Sequence, residues 1–66
     1  MRKLTYKIVE ETDRTQSIKW IEFITDRTPI WTESQYLRNR TNTTMELVGD
    51  EETEETEPIS REIRLG

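Results

Sequence analysis

Eleven threonines and seven isoleucines, with no alanine anywhere in 66 residues, bias this chain towards strands. Branching at Cβ stiffens a side chain and suits a pleated surface, whereas helices draw on alanine and unbranched residues. Length limits what those strands can build. A chain of this size buries only about 60% of the surface its unfolded state exposes, which allows one domain with one thin core. Apolar residues are 30% of the chain and charged residues 36%, but the apolar ones cluster in Leu4–Val9, Ile18–Ile24, Ile30–Leu37 and Met45–Val48. The two Trp, two Tyr and Phe23 matter most, since each aromatic can bury roughly 150–250 Å². With no cysteine, nothing staples the fold covalently, and self-association or a partner would stabilise it.

Leu4, Tyr6 and Ile8 alternate with Thr5, Lys7 and Val9, predicting a half-buried strand over 3–11. Thr12–Gln16 reads as a turn. Ile18, Trp20, Ile21, Phe23 and Ile24 are apolar on both faces of the next strand, 17–25, which Pro29 ends. Thr32-Glu33-Ser34-Gln35 fits a capping box, with Trp31 and Tyr36 at hydrophobic-staple positions and Arg38 and Arg40 in the last turn, predicting a helix over 33–40. Thr28 as cap with Pro29 in the first position is an alternative start. Thr43–Val48 predicts another strand, ended by Gly49.

The expected architecture is a small single α+β domain: an antiparallel β-meander (3–11, 17–25, 43–48) with one short helix (33–40) on one face. The alternative is an all-β five-stranded small barrel, with 33–40 extended. The expected core is Tyr6, Ile8, Trp20, Ile21, Phe23, Leu37 and Leu47.

Charge divides the chain. Residues 1–49 carry eight basic and seven acidic side chains, leaving +1, whereas residues 50–66 carry two basic and seven acidic, leaving −5. A folded body (1–49), an acidic low-complexity segment (50–58) and a C-terminal edge strand or tail (59–66) are expected. Ile59, Ile63 and Leu65 are the only apolar residues after the acidic segment.

Absence shapes the chemistry. Without His or Cys, the usual general base near neutral pH, the thiolate nucleophile and the commonest transition-metal ligands are missing. Glycines at 49 and 66 alone cannot build a phosphate-cradling loop. Glu10, Glu22 and Glu33 could supply a carboxylate pair, but no motif fixes their separation. The acidic segment lacks the ligand order of an EF-hand loop. No enzyme activity, metal site or cofactor is expected. Neither an apolar leader core behind Met1–Tyr6 nor a run of the roughly 20 apolar residues a membrane span needs is visible. The expected location is the cytoplasm, that of the host if the protein is viral.

Two groups of residues qualify as binding determinants. Trp31, Tyr36, Arg38 and Arg40 form the one aromatic-and-basic cluster, of the residue types enriched in protein-interface hot spots. The same types stack on bases and pair with phosphates, but a body at only +1 lacks the usual electrostatic footprint. Asp50, Glu51, Glu52, Glu54, Glu55 and Glu57 form the second group, which suits a solubilising linker, a shield over Arg38 and Arg40, or a mimic of a nucleic-acid backbone. Alternate residues of an extended chain lie about 6.7 Å apart on one face, of the order of successive phosphates.

In general character, being tiny, acidic, strand-rich and free of His and Cys, the chain is similar to the small inhibitors that bacteriophages deploy against host enzymes, although no residue motif carries the likeness. The expectation is a protein-binding inhibitor of a larger macromolecule, such as a host nucleic-acid enzyme or defence factor, whose basic groove would receive the acidic segment. The alternatives are a single-stranded nucleic-acid-binding β domain and an accessory subunit of a larger assembly. A homodimer is compatible with the small core.

Overall fold

The computed structural model describes residues 1–64; Leu65 and Gly66, the end of the expected C-terminal segment, lie outside the described residues. Strands β1 (Arg2–Glu11) and β2 (Gln16–Thr25) form a hairpin paired antiparallel over ten residues each, closed by the Thr12 amide donating to the Thr15 carbonyl at 2.8 Å. Helix α1 (Pro29–Leu37) follows, then β3 (Thr43–Glu52) and β4 (Ile59–Ile63). The four strands make one antiparallel sheet in the order β3-β1-β2-β4. The sheet is open, which sets aside the barrel, and the α+β expectation holds.

The order follows from chain direction. Both β2 and β3 run antiparallel to β1, so they are parallel to each other and cannot be joined by a tight hairpin. The connection carries α1 across the sheet, placing β3 beyond β1. Glu11 and Asn42 close this turn, the Glu11 amide donating to the Asn42 carbonyl at 2.9 Å, and Asn42 adopts φ 56°, a left-handed conformation that Asn tolerates.

The helix begins four residues earlier than the capping box indicated. Thr28 is the N-cap, its Oγ1 accepting from the Trp31 amide at 3.1 Å, and Pro29 takes the first turn. Proline has its φ pre-set for a helix and lacks an N–H that would be unsatisfied there, so this start wins over Thr32. Thr32 is instead buried within the helix, its hydroxyl donating to the Thr28 carbonyl at 2.9 Å. The helix ends at Leu37, so Arg38 and Arg40 lie at and beyond its C-terminus rather than in its last turn.

Alternation along β1 puts Leu4, Tyr6 and Ile8, all fully buried, under the helix, with Ile21, Phe23, Tyr36 and Met45 packed against them. Three of the expected core positions differ. Trp20 is half-buried on the opposite face, Leu37 is half-buried at the helix end, and Leu47 is exposed because it lies on an edge strand. Leu4 and Ile24 take their place, with Ile24 on the face away from the helix between Lys3 of β1 and Ile59 of β4.

The acidic segment is part of this framework. Strand β3 runs through position 49 to Glu52, where Asp50 pairs with Arg2 and Glu51 with Lys3. Residues 53–58 then cross the end of the sheet from one edge strand to the other, held to Met1 where the Thr53 amide donates to the Met1 carbonyl at 3.0 Å. Three strand spacings are about 14 Å, and six residues reach at most about 20 Å. The strap can therefore cross without being fully stretched, and mutual repulsion of Glu54, Glu55 and Glu57 favours an open course.

Candidate protein-binding groove

A helix with its side chains is about 10–12 Å across and cannot roof four strands. Here α1 sits over β1 and β3. The Tyr6 hydroxyl donates to Glu33 Oε2 at 2.9 Å, with the Pro29 carbonyl at 3.2 Å also within its reach, and the helix backbone runs alongside β3. Burial and the bond to Glu33 hold the Tyr6 phenol above its ordinary pKa of 10.0. The other half of the same face, over β2 and β4, stays uncovered.

The result is an open groove of about 500 Å³, with Phe23 and Ser60 along its floor, Trp31, Gln35 and Tyr36 on the helix wall, and Arg40 beside them. The least exposed stripe of the helix (buried Thr32 with half-buried Pro29, Glu33, Tyr36 and Leu37) recurs at three- and four-residue spacing, which turns Trp31 and Gln35 away from the sheet core. Trp31 is 44% exposed. Phe23 meets Tyr6 and Tyr36 edge-to-face, with centroids 5.8 and 6.1 Å apart, joining groove floor to core.

Two arginines stack on the wall. The Arg27 guanidinium lies 4.8 Å from the Trp31 ring centroid, and that of Arg40 lies 3.9 Å from Tyr36 while donating to the Tyr36 carbonyl. Among the described residues, Arg40 is the only charged one lining the groove. Such a surface suits an apolar group flanked by a carboxylate or another anion.

The expected site residues thus separate. Trp31, Tyr36 and Arg40 come together; Arg38 is exposed at the helix end and does not line the groove. The acidic group lies apart, in β3 and the strap. Asp50 and Glu51 are spent on Arg2 and Lys3, Glu55 lies 3.9 Å from Arg61, and Glu52, Glu54 and Glu57 are exposed without an ion pair among the described residues. Sequence reasoning missed Arg27, Gln35 and Ser60. The four-residue spacings Arg27–Trp31 and Tyr36–Arg40 were the available signal for the stacked pairs. Ser60 carried none, because only the register places it opposite Phe23.

Among the described residues, no group of three or more acidic side chains is placed to hold a metal ion, and no helix is long and apolar enough to cross a membrane. Comparison with protein-family models, curated proteins and solved structures gives no match.

Proposed function

We propose that this chain is a non-enzymatic binding protein that docks a larger protein through the groove and blocks it, acting in the cytoplasm as a phage-type inhibitor of a host nucleic-acid enzyme or defence factor would. The observation that carries the reading is an exposed Trp31 beside Tyr36, each stacked with an arginine, along an open groove floored by Phe23. Trp, Tyr and Arg in such settings dominate interface energetics, and truncating one typically costs about 2–4 kcal/mol of binding. The unpaired charges of Glu52, Glu54 and Glu57 add a separate anionic edge that would speed encounter with a basic partner surface.

The test is capture from lysate by the parent chain beside Trp31→Ala and Arg40→Ala variants, with the captured partner's activity assayed in their presence. A partner retained and inhibited by the parent chain but lost by both variants supports the reading. Equal capture by all three overturns it. So would nanomolar binding to single- or double-stranded nucleic acid that weakens steeply with salt, because Arg27 and Arg40 would then serve phosphates.

A further inference from the structure

The groove does not stop at the sheet's edge. Strand β4 is the outermost strand on that side, and among the described residues nothing pairs with its outer side. Antiparallel geometry directs alternate N–H and C=O groups of an edge strand outward, ready to bond another extended chain. The opposite edge is protected: β3 carries a bulge at Val48, where the register with β1 shifts, and ends in Asp50, Glu51 and Glu52. Strand β4 has neither a bulge nor a proline, and it keeps regular register with β2 from Ile59 to Ile63.

Side-chain size completes the pattern. On β4 the residues on the helix-side face are Ser60, opposite Phe23, and Glu62, opposite Ile21, and of these Ser60 lines the groove. Ser60 is small, so a side chain arriving from a strand beyond β4 can pass over it and rest on Phe23. At the groove wall, Arg40 supplies a positive charge.

Resting on the protein-binding reading above, we propose that the partner enters as an extended peptide segment that adds a fifth strand to the outer edge of β4, seating an apolar side chain over Ser60 on Phe23 and directing a carboxylate to Arg40. Main-chain bonds to β4 supply affinity and the groove supplies selectivity, as in other strand-addition complexes.

Selection from a displayed library of random twelve-residue peptides on the full 66-residue chain tests this. The selected sequences should be free of proline, alternate apolar with polar residues and include Asp or Glu. The synthesised peptides should shift the backbone amide resonances of Ile59–Ile63 and the indole resonance of Trp31. Methylating peptide nitrogens on the side that bonds β4 should weaken binding about tenfold or more, while methylation on the other side has little effect. Ser60→Leu, checked for an unchanged amide spectrum, should weaken binding by a similar factor. If binding ignores methylation yet falls with Trp31→Ala, strand addition is overturned and the groove reading stands. If neither methylation nor Trp31→Ala matters, both fall. Failure to enrich any peptide, or concentration-dependent pairing of this chain with itself through β4, overturns the proposed occupant.

Discussion

The two halves of the helix-side face use the same kind of residue for different ends. Over β1 and β3, the aromatic Tyr6 is fully buried, its hydroxyl tied to Glu33, and neighbours Leu4 and Ile8 see no solvent. Beside β2 and β4, Trp31 and Tyr36 of the helix stack with arginines along a groove that remains open. A nine-residue helix decides which half becomes core, and position relative to that helix, more than residue type, separates stability from recognition.

The largest expected effect is in the covered half. Tyr6→Ala removes the biggest buried side chain, and aromatic-to-alanine changes in cores cost about 3–5 kcal/mol. For a chain with so small a core this should abolish cooperative thermal unfolding. A variant that still melts sharply near the parent temperature would break the contrast.

Breaking the hold on β4 should matter less. Arg61 donates to Glu22 Oε1 through Nε at 2.9 Å and through Nη2 at 2.6 Å, and Glu22 is buried. Arg61→Ala leaves that carboxylate unpartnered, a loss of about 1–3 kcal/mol by urea unfolding. Stability unchanged within error would show that Glu22 finds water instead.

Thr28→Ala should cost about 1 kcal/mol, because the helix loses its cap. Thr32→Ala would be the costlier change if the helix began at the capping box, so comparing the two variants checks the observed start.

Alkali should act on the covered half as well. The Tyr6 phenol has its pKa raised by burial and Glu33, so the folded state keeps its proton after the unfolded chain has lost it. Stability is fully present below the ordinary tyrosine value of 10.0 and falls as pH rises through and beyond it. Lys3, bonded to Glu51, and Lys19, bonded to Glu10, are also raised and act in the same direction. Tyr6→Phe should flatten this alkaline slope.

The smallest effect on stability belongs to the open half. Trp31→Ala should change it by about 0.5–1 kcal/mol, the size of an exposed cation–π contact, while removing partner binding. A large loss of stability would mean that Trp31 is core after all.

Sequence pattern made β1 and β2 legible because the alternation of Leu4, Tyr6 and Ile8, the dense β-branched and aromatic run Ile18–Ile24 and the polar turn between them all point to a hairpin. Helix existence was legible from its threonines, but two competing caps four residues apart left its start open, and Pro29 in the first turn decides for Thr28. Trp20, Leu37 and Leu47 could not be placed correctly, since hydrophobicity says that a residue prefers burial but not which face or edge it occupies. The aromatic cluster was visible as residue types. Its separation from the acidic segment was not, because that depends on a strap whose course only the strand order fixes.

That strap has a bearing on how the molecule comes apart. Strand β4 touches the rest of the sheet through five residues of β2, and β2 lies far earlier in the chain. Detaching β4 breaks no hydrogen bond between β1, β2 and β3, so the fold has a sub-global opening cheaper than complete unfolding. Backbone amides of Ile59–Ile63 should therefore exchange with solvent ahead of those in Leu4–Ile8, and opening at β4 should free residues 53–58 for a protease. Proteolysis of the folded protein is thus expected to begin at β4, before its core is exposed.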